Sequence, residues 1–257
     1  MTRGEAREIW RELMGRYRGE VHILVKHKKK LLFKHNQEPD LIKAFHGIGG
    51  LARFPENFDK FVRISLEKLR FTIEEKWKDE EYQEIACKLR KIIDEIRTRL
   101  ISAFEYDADE FCVLNHGDFW TSNVMFKCNE KGNPCDALIV DFQLIHYTSP
   151  AIDLQHFLAM CPEFDVRGDK DDYFLENYRT ILKSTMKKIG CKTNPPTMEQ
   201  LKKAIRKRGA YSILIGLVYY PRIIADKEDV ESFNDLMKTG TSKMDIFKNP
   251  LAVKMIK

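Results

Sequence analysis

The run His116-Gly117-Asp118-Phe119-Trp120-Thr121-Ser122-Asn123, with Asp141-Phe142-Gln143 beginning eighteen positions after Asn123, constrains this chain more than any other stretch. Its flanks fix the local fold. Phe111, Val113 and Leu114 form a short apolar approach that reads as a buried strand. Val124-Met125-Phe126 leaves as a second strand, and Gly132-Asn133-Pro134 within 129–134 is a turn signal. Ala137-Leu138-Ile139-Val140 is a continuous apolar strand that delivers Asp141 at its carboxyl end. An Asp and an Asn five apart on one tight loop are therefore joined by a second Asp that a hairpin returns.

Phosphoryl transfer from ATP needs one carboxylate beside the attacking hydroxyl and two oxygen ligands for Mg²⁺. Asp118, Asn123 and Asp141 can supply all three, at the spacing of a kinase catalytic loop and its metal-binding aspartate. Taken singly, an Asp or Asn in a turn is usually a backbone cap. The constellation outweighs that reading because its strand, loop and hairpin context agrees with it.

Asn115 to Phe126, then Val140-Asp141-Phe142-Gln143-Leu144 and Ser149-Pro150-Ala151-Ile152-Asp153-Leu154, resembles the CHK-kinase-like family. These ecdysteroid-kinase-like proteins are related to choline and aminoglycoside phosphotransferases. The resemblance is strong over about Glu110 to Leu158 and looser from there to about Asn249. It implies Asp118 as catalytic base and Asn123 and Asp141 as Mg²⁺ ligands. It also implies Asp153, with His116, as a structural brace of the loop, and a small hydroxyl-bearing acceptor rather than a protein. The implied cofactors are ATP and Mg²⁺.

At 257 residues and 43% hydrophobic, the chain can bury a core of generous size. Its 32% charged residues give a well-solvated surface, wholesale disorder is not expected beside 43% hydrophobic residues, and its net charge of +5 suits an anionic nucleotide without demanding nucleic acid. Cys87, Cys112, Cys128, Cys135, Cys161 and Cys191 show neither a C-x-x-C pair nor zinc spacing. Cys128 and Cys135 flank the hairpin turn and can approach each other. Without a secretory signal at Met1, reduced thiols and a cytoplasmic location are expected. The longest apolar stretch, Ala210 to Tyr220, is too short to span a bilayer, precedes Pro221-Arg222 and reads as a buried helix.

The fold class expected is α+β, a mostly helical kinase-like C-lobe with a small β-hairpin carrying the catalytic and metal loops. Thr2 and Glu5 fit a capping box ahead of a helical face through Ala6, Ile9, Trp10, Leu13, Met14 and Tyr17. Gly19 closes that helix, and Val21, Ile23 and Val25 alternate as a short strand does. Phe58, Phe61, Val62, Leu66, Leu69 and Ile73 make a second amphipathic helix, and Tyr82 to Leu100 a long third one. Ser149 and Pro150 fit an N-cap with proline in the first turn. Tyr173 to Met186 continues as a helix that Gly190 ends, and Thr197 with Gln200 forms another capping box. The region from Lys227 to Lys257 has few periodic signals and reads as a partly ordered tail.

Only 115 residues precede His116, and most of them read as helix. A kinase small lobe is a β-sheet with a phosphate-covering hairpin and a lysine paired to a glutamate. Asp40 to His46 resembles the opening helix of the larger lobe, which leaves too little chain for the small one. The domains expected are 1–37, an N-terminal helix and basic strand-like segment; 38–249, a kinase-like C-lobe; and 250–257, a truncated tail. The N-lobe is expected to be missing or rudimentary. His22-Ile23-Leu24-Val25-Lys26 has the shape of the ATP-anchoring strand, which makes Lys26 the cofactor-binding candidate. Against it, Lys26 opens a basic run with Lys28, Lys29, Lys30 and Lys34, and such runs are usually solvated.

Other residues favour bland roles. His22, His27, His35 and His46 lack metal-ligand spacing. Lys202, Lys203, Arg206, Lys207 and Arg208 read as a solvated helix face. Trp120 and Tyr147 could line an acceptor pocket or simply pack. The function expected is an ATP-dependent small-molecule O-kinase acting on an ecdysteroid or other apolar alcohol. The alternative is a truncated, catalytically weak or inactive kinase-like binding protein. The partners expected are ATP and a small hydroxyl substrate, with no nucleic acid and no membrane span.

Overall fold

A computed structural model describes residues 56–162, 167–225, 228, 230–242 and 245–256. In chain order the regular elements begin with α1 (Glu56–Lys76) and α2 (Glu80–Phe104), then β1 (Val113–Asn115), β2 (Val124–Cys128), β3 (Pro134–Ile139) and β4 (His146–Thr148). They continue with α3 (Ala151–Met160), α4 (Asp171–Lys188), α5 (Met198–Lys207) and α6 (Gly209–Ile213). The last are α7 (Tyr220–Ile224), α8 (Phe233–Thr239) and α9 (Pro250–Ile256). The class is α+β and mostly helical. The expected first helix, the strand at Val21–Val25 and Lys26 lie outside the described residues. The described chain divides into two compact units, residues 106–207 and residues 56–105 with 208–256.

In the second of these units, apolar residues at three- and four-residue spacing decide the helices. Phe58, Phe61, Val62, Leu66, Leu69 and Ile73 are all buried on α1. Ala86, Leu89, Ile93, Ile96 and Leu100 are buried on α2, which packs against α1. Gln83 Nε2 closes the corner between them by donating to the Trp77 carbonyl at 2.7 Å.

The apolar segment continues through Pro221 rather than stopping before it. Leu214–Tyr219 winds as a π-helix between α6 and α7. Proline has no N–H to give the preceding turn, and a widened turn accommodates that loss. Arg208, grouped by sequence with a solvated basic face, follows α5 and is 1% exposed, with Nε donating to the Ala103 carbonyl at 3.0 Å.

The stretch read as a tail also differs, because its described parts form α8, a 3₁₀ turn at Ile246–Lys248 and α9. Seven-residue helices are too short to show a period. Their caps carry the signal instead: Ser232 Oγ accepts from Asp235 N, and Asn249 Oδ1 from Ala252 N, both at 3.2 Å. Gly240 ends α8 at φ 65°, where a Cβ would meet the Asn57 carbonyl oxygen at 2.9 Å.

In the unit of residues 106–207, β2 and β3 form the expected antiparallel hairpin, from Val124 opposite Ile139 to Lys127 opposite Asp136. A second antiparallel pair, absent from the sequence reading, joins β1 to β4 with Val113 opposite Thr148 and Asn115 opposite His146. Helices α3, α4 and α5 share a core of Leu154, Leu175, Tyr178, Leu182, Met186 and Leu201. The Thr197 capping box is reciprocal: Gln200 N donates to Thr197 Oγ1 at 3.1 Å, and Thr197 N to Gln200 Oε1 at 2.8 Å. Helix α3 starts at Ala151, one residue later than expected, and Ser149 Oγ still accepts from Ala151 N at 3.4 Å. That start sets Asp153 in the first turn of α3.

Candidate functional site

The loop between β1 and β2 is held from below by one side chain. Asp153 is fully buried, and its two carboxylate oxygens accept successive backbone N–H groups. His116 N donates to Oδ2 at 2.8 Å and Gly117 N to Oδ1 at 2.9 Å. A buried carboxylate without such donors would cost several kcal/mol. Asn115, 1% exposed, ties the same corner together. Its Nδ2 donates to the Thr148 carbonyl at 3.1 Å, and its Oδ1 accepts from Asp153 N at 3.4 Å.

Gly117 lies at φ 85°, and a Cβ there would sit 2.1 Å from the Leu144 carbonyl oxygen. The segment returning from Asp141 to β4 therefore lies directly against the loop, and only glycine admits that approach. His116 locks the other side. Its Nε2 lies 2.8 Å from the Val140 carbonyl oxygen, so Nε2 carries the proton. Its Nδ1 then accepts from Asp118 N at 3.3 Å. The imidazole thus bridges the residue before Asp141 and the residue at the candidate base.

Asp118 and Asn123 meet side chain to side chain. Asn123 Nδ2 donates to Asp118 Oδ2 at 2.9 Å and to the Asp118 carbonyl at 2.8 Å. A 3₁₀ turn at Thr121–Asn123 makes this geometry possible, with Asn123 N donating to the Trp120 carbonyl at 3.0 Å. With both Nδ2 bonds spent on Asp118, Asn123 Oδ1 remains available as an acceptor.

Asp141 reaches the same region through the hairpin. Val140 N donates to the Asn123 carbonyl at 3.0 Å, so the ladder that pairs Val124 with Ile139 extends to these two residues. Asp141 follows at φ 66° and ψ 62°, the only described non-glycine residue with positive φ. Such left-handed backbone at a non-glycine residue is uncommon and concentrates at functional sites. The Asp141 carboxylate is exposed, with Gln143 Nε2 at 3.4 Å from Oδ2.

An exposed carboxylate and an amide oxygen on neighbouring hairpin legs fit Mg²⁺. That ion takes hard oxygen ligands and commonly uses one or two protein groups, the rest coming from phosphate and water. Among the described residues no group of three or more His, Cys, Asp or Glu side chains could hold a metal by itself.

Sequence reasoning missed His156. It lies one turn after Asp153 on α3, 3% exposed, with Nε2 at 3.7 Å from Asp118 Oδ1. Burial pushes its imidazole down to about 4, opposed by the charges of Asp118 and Asp153 and assisted by His116. The imidazole is therefore neutral near pH 7. The three-residue spacing from Asp153 was the available signal, since i and i+3 share a helix face.

Tyr147 stacks on Tyr106 with ring centroids 5.9 Å apart, and burial is the main cause that raises its hydroxyl to about 12. Trp120 is half-buried, and its backbone N–H donates to the Asp118 carbonyl at 3.2 Å. Two members of the basic face are paired: Lys202 with Asp172 at 2.7 Å, and Lys207 with Asp107 and Glu110 at 2.6 and 2.8 Å. Among the described residues no helix is long and apolar enough to cross a membrane.

A family model described as the ecdysteroid kinase-like family matches residues 30–191. A 103-residue stretch is 30% identical to a Caenorhabditis elegans protein described as uncharacterized oxidoreductase dhs-27. That match covers 38% of this chain and only 12% of the worm protein. No solved structure matches the chain.

Proposed function

The chain belongs to the ecdysteroid kinase-like family, and we propose that it transfers the γ-phosphoryl group of ATP to a hydroxyl of a small, largely apolar alcohol such as an ecdysteroid. The observation that carries this reading is the bond from Asn123 Nδ2 to Asp118 Oδ2 at 2.9 Å, on a loop that backbone pairing joins to the strand leading into Asp141.

In this reading Asp118 is the base. Its Oδ2 is held by Asn123, and Oδ1, facing His156, accepts the proton of the acceptor hydroxyl. The new bond forms between the acceptor oxygen and the γ-phosphorus. The bond from that phosphorus to the bridging oxygen breaks, and ADP leaves. Asn123 Oδ1 and the Asp141 carboxylate would hold Mg²⁺, which when bound would neutralise charge on the transferring phosphate. Lys26 is the candidate for the phosphate lysine. Positioning and electrostatics supply nearly all the catalysis in such a reaction. A loop fixed through Asp153, His116 and Gly117 accords with that demand. The reaction belongs in the cytoplasm, where ATP and Mg²⁺ are at hand.

The test is incubation of the purified chain with Mg²⁺-ATP and a panel of ecdysteroid, sterol and phenolic alcohols, followed by mass spectrometry. Phosphate esters that form only with both ATP and Mg²⁺ support the reading. A panel left unmodified, with ATP intact, overturns it.

A further inference from the structure

Cys128 and Cys135 stand at the far end of the hairpin from Asn123 and Asp141. Both are free thiols and both are exposed. The β2–β3 register pairs Val124 with Ile139, Met125 with Leu138, Phe126 with Ala137 and Lys127 with Asp136. One more step would set Cys128 opposite Cys135. A bulge between Lys127 and Cys128 instead sets Pro134 opposite Cys128, leaving Cys135 as the extra residue beside it.

Counted from the last regular pair, Lys127 opposite Asp136, one step along each strand brings Cys128 and Cys135 to the same face of the ribbon, because side chains alternate along a strand. The bulge sets Pro134 and Cys135 together against Cys128, two residues opposing one, so Cys135 still stands across the ribbon from Cys128. Cys135 Sγ already lies 3.3 Å from the carbonyl oxygen of Lys127, whose carbonyl carbon is bonded to Cys128 N. The tight turn at 129–133 holds the legs together, with Asn129 N donating to the Asn133 carbonyl at 2.8 Å.

From this geometry we infer that Cys128 and Cys135 form a redox modification site, a vicinal cross-strand dithiol that a small disulfide such as oxidised glutathione closes into a disulfide. In the first step the thiolate of one cysteine attacks a glutathione sulfur. A mixed disulfide forms and one glutathione thiolate leaves. In the second step the other cysteine's thiolate attacks the protein sulfur of that mixed disulfide, and the second glutathione leaves. The protein loses two protons and two electrons, and oxidised glutathione becomes two glutathione thiols. The product covalently closes the end of the hairpin opposite Asn123 and Asp141.

Trypsin cleaves after Lys127 and after Lys131, so Cys128 and Cys135 fall on different peptides. The full chain is equilibrated natively with oxidised glutathione, quenched with an alkylating reagent and digested. The expected result is loss of two of the six alkylatable thiols. The peptide Cys128–Lys131 should be joined to the one beginning at Gly132, with fragmentation placing the link at Cys135 rather than the buried Cys161. In Cys135→Ser the link disappears and Cys128 carries a mixed disulfide with glutathione. Circular dichroism of that variant, unchanged from the parent, shows that the fold is kept. Recovery of Cys128 and Cys135 as free thiols, or as two separate glutathione adducts, overturns the inference. So does a link between any other pair.

Discussion

Gly117 and the Leu144 carbonyl oxygen approach so closely that a single added methyl group would lie 2.1 Å from that oxygen. The loop bearing Asp118 and the segment following Asp141 are thus packed backbone against backbone. Gly117→Ala must both occupy φ 85° and displace Leu144. Left-handed backbone costs a non-glycine residue about 1–2 kcal/mol, and overpacking typically adds 1–3. The variant is expected to lose about 2–5 kcal/mol in urea unfolding. A loss under about 0.5 kcal/mol would show that the two segments are not in contact.

Asp153 should tolerate no truncation. Asp153→Ala leaves the N–H groups of His116 and Gly117 buried without acceptors, at about 1–3 kcal/mol each. Asp153→Asn keeps one acceptor oxygen and should cost less. Equal denaturation midpoints for Asp153→Ala and the parent would contradict this.

His156 makes stability depend on pH. Its imidazole is held down to about 4 in the folded chain against an ordinary value of 6.5. The unfolded chain therefore binds the extra proton first as the pH falls. The contribution is fully present above pH 6.5 and is lost progressively between about 6.5 and 4, on the order of 3 kcal/mol in all. His156→Gln has no proton to take up there. Urea midpoints of the parent measured from pH 7 down to 4.5 should fall more steeply than those of His156→Gln; parallel curves would contradict the assignment.

The loop, the hairpin and the periodic helices were legible because each declares itself locally. Asp118, Asn123 and Asp141 have fixed spacing, and the apolar residues from Phe58 to Ile73 repeat at helical intervals. What the sequence hid depends on contacts between distant positions. The pairing of β1 with β4 rests on three residues in each strand. His156 and Asn115 matter through partners that no motif links to them. Arg208 looks like its basic neighbours on α5, and only the helix end turns it inward. The apolar run from Ala210 to Tyr220 reads as one buried helix, and nothing in it marks the π-helical turn at Leu214–Tyr219.

Asn123 serves Asp118 through Nδ2 and is proposed to serve Mg²⁺ through Oδ1. Asn123→Ala should raise the Mg²⁺ concentration for half-maximal phosphoryl transfer by about tenfold or more, the scale at which even outer-shell metal partners count. Asn123→Asp replaces the donor with a second carboxylate beside Asp118 and should lower the maximal rate as well. An unchanged Mg²⁺ dependence in Asn123→Ala would remove Asn123 from the metal site.

The most direct test is the rate of ATP-dependent phosphoryl transfer to an alcohol acceptor by the intact chain and by Asp118→Asn, measured side by side under saturating Mg²⁺-ATP. Asn preserves the shape of the side chain and removes its capacity to accept a proton. If Asp118 is the base, the maximal rate falls by about 10²–10⁴-fold, while ATP binding and the unfolding midpoint stay near those of the parent. Equal rates in the two proteins would contradict the assignment of Asp118.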